Sequence, residues 1–338
     1  MRRVWVNGAD GVRLSVTVDG PDGGIGQETD VPTVVCVHGY PDDSTLWDGV
    51  RTRLRGRFRV VTYDVRGAGD SDAPREVAAY RLDTLAADLV AVLDEVAGDR
   101  PVHLLAHDWG SIQTWHAVTG PWLRGRVASF TSISGPDLDH AAHWFRAQLR
   151  PHPRRLGAAL RQLARSGYLA FFQLPVLPEL LWRSGLGARV VRAREPAEPA
   201  PRHSDAVHGL NLYRANIVGR LRRPGRRPAE IPVQVLAPVD DPFVGVPLQT
   251  EIARWVPDLR VRRIPGSHWV VRADPDRIAT ATAELVDAVE PAGSGSGADS
   301  GTDPGTDPGT GESRALRRAR VNPPPRGRFP GRLVLVTG

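Results

Sequence analysis

VHLLAHDWGS, residues 102–111, decides how this chain folds. Four apolar residues run straight into a segment with helical character, with no linker between. The junction Ala106-His107-Asp108-Trp109-Gly110 places a small residue two positions before and two positions after Asp108. A strand that turns this sharply into a helix tolerates only small side chains at those two positions, and it thrusts the residue at its tip above the sheet. The residue at the tip is aspartate rather than serine. A carboxylate is ionised at neutral pH and needs no base to activate it. It is a weak nucleophile, suited to displacement at a strained or activated sp³ carbon.

Working outward, TVVCVH (33–38) is another short apolar run, and it ends in HGYP (38–41). A loop at that place can supply a backbone N–H to an oxyanion, with a second from the residue after the nucleophile. The expected donors are the amides of Tyr40 and Trp109, and Tyr40-Pro41 is a candidate cis bond. His268 in PGSHWVV follows the last expected strand of the body, LRVRRI. VDDPF (239–243) follows the strand before it and offers Asp240 and Asp241. Asp241, which directly precedes Pro242-Phe243, is the preferred partner for His268. Asp137, after VASFTSIS, is a second relay position. Nucleophile, acid, histidine is the chain order of the α/β-hydrolases. His140 and His143 are three apart on a helix without a third ligand, and are read as surface residues rather than metal ligands.

Residues 1–139 alternate short strands with amphipathic helices, as do residues 229–290, so a mostly parallel sheet covered on both faces is expected. Residues 140–228 contain only helical segments broken by Pro and Gly. An all-helical stretch between two halves of one sheet reads as a lid over the carboxyl edge, where open α/β sheets bind ligands. Two tyrosines, Tyr168 and Tyr213, fall in the lid. A phenol opposite the nucleophile can hydrogen-bond an oxygen acquiring alkoxide character and release its proton as the bond breaks. The lid stretch FFQLPVLPELLW (171–182) reads either as the wall of a site for a hydrophobic, lipid-like ligand or as lid core.

Together, HGYP, DVRGAGDSD (64–72), HDWGS, DPF, SHW and the two lid tyrosine motifs resemble the epoxide hydrolases of the α/β-hydrolase fold. The resemblance covers residues 30–290. It implies Asp108 as nucleophile and Tyr168 and Tyr213 as acids on the oxirane oxygen. It further implies His268 with Asp241 as the water-activating pair, and the amides of Tyr40 and Trp109 as the oxyanion hole. Ala106 stands where glycine is common in the family, and it is still small. The reaction implied converts a hydrophobic epoxide and water to a diol, with no metal or organic cofactor. The rival is a haloalkane dehalogenase, which uses the same aspartate. The lid tyrosines favour an oxygen leaving group, and Tyr40 stands where dehalogenases often carry asparagine.

Hydrophobic residues make up 41% of the 338 and charged residues 24%, ordinary globular values. No apolar run reaches the about 18 residues of a membrane span, and MRRVWVNGADG has no apolar signal core. Cys36 is the only cysteine, which fits a reducing, cytoplasmic setting. The net charge of +6 carries no lysine. Seven of the 44 arginines follow residue 312, beyond the last acid, so the body is close to neutral and nucleic-acid binding is not expected. Residues 291–328, with their GTDP repeat, read as a linker. GRLVLVTG (331–338) resembles the first strand of a short-chain dehydrogenase, and some actinobacterial proteins similarly join an epoxide hydrolase to such a reductase. On that resemblance residues 329–338 are the truncated start of a second domain. They lack its glycine-rich turn, so no dinucleotide binding is expected.

Overall fold

In the computed structural model, the structure describes residues 1–8, 10–21, 31–149, 153–194, 201–290 and 334–337. Among these residues nine strands form one sheet: β1 (Arg2–Asn7), β2 (Arg13–Asp19), β3 (Thr33–Val37), β4 (Arg59–Tyr63), β5 (Val102–His107), β6 (Val127–Ile133), β7 (Val233–Pro238), β8 (Leu259–Ile264) and β9 (Val334–Thr337). Their order is β1-β2-β4-β3-β5-β6-β7-β8-β9. β1 and β2 form an antiparallel hairpin, β2 joins β4 antiparallel, and every later pairing is parallel.

The central strands β3, β4 and β5 are buried throughout because both faces are covered. Val35, Val37, Leu104 and Ala106 point into one core cluster, while Val34, Cys36 and Leu105 point into the other, as the two-residue period requires. Helices α1 (Asp48–Leu54), α2 (Leu82–Ala97) and α3 (Trp109–Val118) connect these strands. The first core is filled by Leu85, Leu89 and Leu93 of α2 together with Trp115 of α3, the second by Trp47 and Val50.

Among the described residues only helices lie between β6 and β7: α4 (Leu138–Gln148), α5 (Pro153–Arg165), α6 (Tyr168–Phe172), α7 (Leu177–Arg183), α8 (Leu186–Arg194) and α9 (His203–Arg222). α9 clamps this lid to the body. The Asn216 side chain accepts from the Leu82 amide and donates to the Tyr80 carbonyl, both at 2.9 Å. After β7 come α10 (Val246–Thr250), α11 (Val270–Ala273) and α12 (Pro275–Val289). Ile278 of α12 enters the second core. Among the described residues no helix is long and apolar enough to cross a membrane.

Two expectations need comment. The segment expected to open a second domain does form a strand, β9, but it adds in parallel to β8 at the edge of this sheet, Arg260 opposite Val334 and Arg263 opposite Thr337. The 291–328 linker lies outside the described residues. His140 is not a surface residue. It is buried, stacks on Trp255 with ring centroids 5.3 Å apart, and donates from Nε2 to the Arg227 carbonyl at 2.6 Å. The segment leading into β7 covers a helix face that spacing alone leaves open to solvent.

Candidate active site

Asp108 joins β5 to α3 with φ +51° and ψ −124°, a conformation that side-chain-bearing residues rarely adopt. Close packing enforces it. A Cβ at Gly110 would collide with the Val37 carbonyl, and one at Gly135 with the carbonyl of Asp108 itself. Asp108 stands at the N-cap of α3 but makes no side-chain cap bond. Its Oδ1 instead accepts the Tyr40 amide at 2.8 Å, from the loop after β3, where Tyr40-Pro41 is cis. The Trp109 amide opens α3, so it has no acceptor within the helix.

His268 follows β8 and faces both carboxylates. Its Nδ1 donates to Asp241 Oδ2 at 3.0 Å, and its Nε2 lies 3.6 Å from Asp108 Oδ2. Asp241 Oδ1 accepts the amides of Phe243 and Val244 at 2.8 and 2.9 Å, which aims the other oxygen at the histidine. Of the three candidate acids only Asp241 meets His268. Asp240 is exposed, and Asp137 caps α4 by accepting the amides of Asp139 and His140. Burial works against a charge on His268, but the attraction of Asp241 and Asp108 outweighs it and raises the imidazole to about 10. Burial alone would raise Asp241; the histidine and the two amides reverse this and hold it below the usual carboxylate range.

The lid brings its tyrosines over this cluster. The Tyr213 ring lies edge-on to Trp109 at 4.9 Å and to Tyr40 at 5.2 Å, and the Tyr168 ring packs edge-on against Tyr213 at 6.0 Å and Phe243 at 5.5 Å. Burial, reinforced by the Asp108 charge, pushes both phenols well above their ordinary range. Both therefore hold their protons. Asp108 and His268 are themselves nearly closed from solvent, 7% and 3% exposed. A cleft lined by His38, Tyr40, Arg66, Trp109, Gln113 and Asp205, among others, shares Tyr40 and Trp109 with the cluster, while Asp108, Asp241, His268, Tyr168 and Tyr213 do not line it.

Three positioning residues went unread in the sequence. His107, before Asp108, donates from Nε2 to the backbone carbonyl of His268 at 2.9 Å. Asp42 accepts the indole N–H of Trp269 at 2.7 Å, which ties the histidine loop to the HGYP loop. Gln162, on the inner side of α5, donates to the Phe243 carbonyl and accepts the Gly245 amide, both at 2.8 Å, and so joins the lid to the loop carrying Asp241. Each links segments distant in sequence, so no local pattern signals it.

An aspartate elbow, a loop whose amide meets that aspartate and an acid–histidine pair at the carboxyl edge of a mostly parallel sheet define a class of protein. The chain belongs to the α/β-hydrolase fold family, whose pattern matches residues 32–272. Among curated proteins, it is 38% identical over 351 residues to the probable oxidoreductase EphD of Mycobacterium tuberculosis, covering 98% of this chain and 54% of that protein. It thus spans about half the length of EphD. It is 30% identical over 254 residues to epoxide hydrolase A of Mycobacterium tuberculosis, covering 73% of this chain and 63% of that one. Among solved structures, one described as a novel epoxide hydrolase from hot-environment metagenomes superposes with a TM-score of 0.69 at 24% identity, over 85% of this chain and 98% of the other. An epoxide hydrolase from Bacillus megaterium superposes with a TM-score of 0.68 at 21% identity, over 84% of this chain and all of the other. At these identities the superpositions speak to the fold.

Proposed function

We propose that the protein is an epoxide hydrolase that converts a hydrophobic epoxide to a vicinal diol through a covalent ester on Asp108. One observation carries the reading. The Asp108 carboxylate has one oxygen on the Tyr40 amide and the other facing His268, beneath two protonated lid phenols.

In the first step Asp108 Oδ2 attacks an oxirane carbon in line. The carbon–oxygen bond breaks toward oxygen, and Tyr168 or Tyr213 supplies the proton. The raised phenols keep that proton until a more basic, alkoxide-like oxygen forms. Ester formation removes the Asp108 charge, one of the two attractions that hold the proton on His268. The imidazolium proton then replaces the one given by the tyrosine. In the second step neutral His268, oriented by Asp241, takes a proton from water. The hydroxide adds to the Asp108 carboxyl carbon, and the amides of Tyr40 and Trp109 hold the oxyanion. Collapse breaks the ester bond, releases the diol and restores the ion pair. The cycle asks for no group beyond this chain and water. The only cysteine, Cys36, is a buried free thiol, which supports a reducing, cytoplasmic setting.

Two measurements test the reading. The protein is incubated with an aryl epoxide and, separately, with a bromoalkane. Diol without bromide is expected, and bromide alone would mark a dehalogenase. In heavy-oxygen water over many turnovers, label is expected in the peptide that holds Asp108. Diol formation without that label would mean direct attack by water.

A further inference from the structure

The apolar stretch in the lid has a face that the reaction does not use. Fifteen large apolar residues are exposed among the described residues, and ten of them lie within 149–190. On α5, Leu156, Leu160 and Leu163 recur at helical spacing and form one stripe, while Ala159 and Gln162 on the inner side are buried. α7 exposes Leu177 and Leu180, and α8 exposes Leu186. These six leucines are 46% to 61% exposed. Single exposed leucines are ordinary, but a concentration on successive helices of one layer is not.

The charge around them has one sign. Residues 149–194 carry nine arginines and a single acid, Glu179. Glu179 pairs with Arg214 of α9 at 2.6 Å and also feels the charge of Arg183, which leaves the arginines in large excess. Arg161, Arg165, Arg183 and Arg189 are exposed. An apolar stripe bordered by arginine matches a surface whose interior is hydrocarbon and whose headgroups are anionic. A second copy of the chain fits less well, because a two-fold contact through this face would set arginines against arginines.

We propose that the outer face of the lid docks on an anionic lipid layer. The leucines of α5, α7 and α8 enter the headgroup–acyl boundary, and the arginines meet lipid phosphates. The surface lies on the lid, so docking brings the closed site next to a phase in which hydrophobic epoxides concentrate. The proposal stands on exposure and charge, and it holds whichever bond Asp108 breaks.

The test is co-sedimentation of the full chain with vesicles of equal parts phosphatidylglycerol and phosphatidylcholine, against phosphatidylcholine alone, in 0.15 M salt. Binding to the anionic vesicles only is expected. Leu160→Asp/Leu163→Asp should weaken it at least tenfold while melting temperature and turnover of a water-soluble epoxide stay unchanged. Arg161→Gln/Arg189→Gln should weaken it with a shallower salt dependence. Absence of binding to anionic vesicles overturns the proposal. So does full binding by the leucine variant, which would assign adhesion to the arginines after residue 312. A concentration-dependent dimer lost in the leucine variant, without vesicle binding, also overturns it in favour of contact between copies.

Discussion

His107 donates from its ring to the backbone carbonyl of His268, and the two imidazoles lie 4.8 Å apart. Burial, with the positive charge of His268 beside it, lowers His107 to about 4. At neutral pH it is therefore the uncharged tautomer that carries hydrogen on Nε2. The residue before Asp108 thus ties down the backbone of His268.

Replacing His107 with Phe keeps a ring in the space and removes that donor. A buried hydrogen bond contributes about 0.5–1.5 kcal/mol, so decay of the covalent ester should slow about two- to thirteenfold. Its formation rate should hardly change. Single-turnover quench experiments separate the two, and an equal loss in both steps would contradict a role confined to His268.

His268→Gln should still alkylate but hardly hydrolyse. Intact-protein mass spectrometry should find the chain shifted by the mass of the epoxide after one turnover. Asp108→Asn should neither gain that mass nor form diol. On the proposed mechanism, loss of either side chain should lower turnover by at least about 10³-fold, at the upper end of what such groups supply.

Tyr168→Phe and Tyr213→Phe each remove one proton donor and leave the aromatic packing in place. Each should slow ester formation by about 10²-fold. The double variant should be slower still, and breakdown of preformed ester should be unaffected. Rapid-quench mass spectrometry of the ester on Asp108 gives the rate directly.

The ion pair at His268 gives stability a definite slope with pH. The folded-state value, about 10, lies above the ordinary histidine value of 6.5. The contribution is fully present below about pH 6.5 and is lost as pH rises toward 10. The buried Cys36 thiol, which burial also raises, adds a loss of the same sign once pH passes the ordinary thiol range, about 8.5. Between pH 6.5 and 8.5 the melting temperature should therefore fall with pH, and His268→Gln should flatten that fall. A parallel decline in both proteins would assign the slope elsewhere.

The parts readable from sequence are those that local sterics impose. A strand can turn into a helix at Asp108 only with small residues around it, so the motif announces its geometry. The loop after β3 and the histidine after β8 follow from chain order on such a sheet. Asp240 and Asp241 are adjacent, and only the three-dimensional turn through Phe243 and Val244 selects between them. His107, Asp42 and Gln162 matter through partners 81 to 227 positions away. For FFQLPVLPELLW both expected roles were incomplete: Phe172 and Trp182 are buried, while Leu174, Val176, Leu177 and Leu180 are exposed. Composition cannot distinguish the two sides of a thin helical layer.

Gln162 makes roof and machinery one mechanical unit. Outward travel of α5 must either snap two hydrogen bonds or drag the 243–245 strap along with it. That strap also supplies the amides that steady Asp241. A displaced roof would therefore leave Asp241, and through it His268, without the support of that strap.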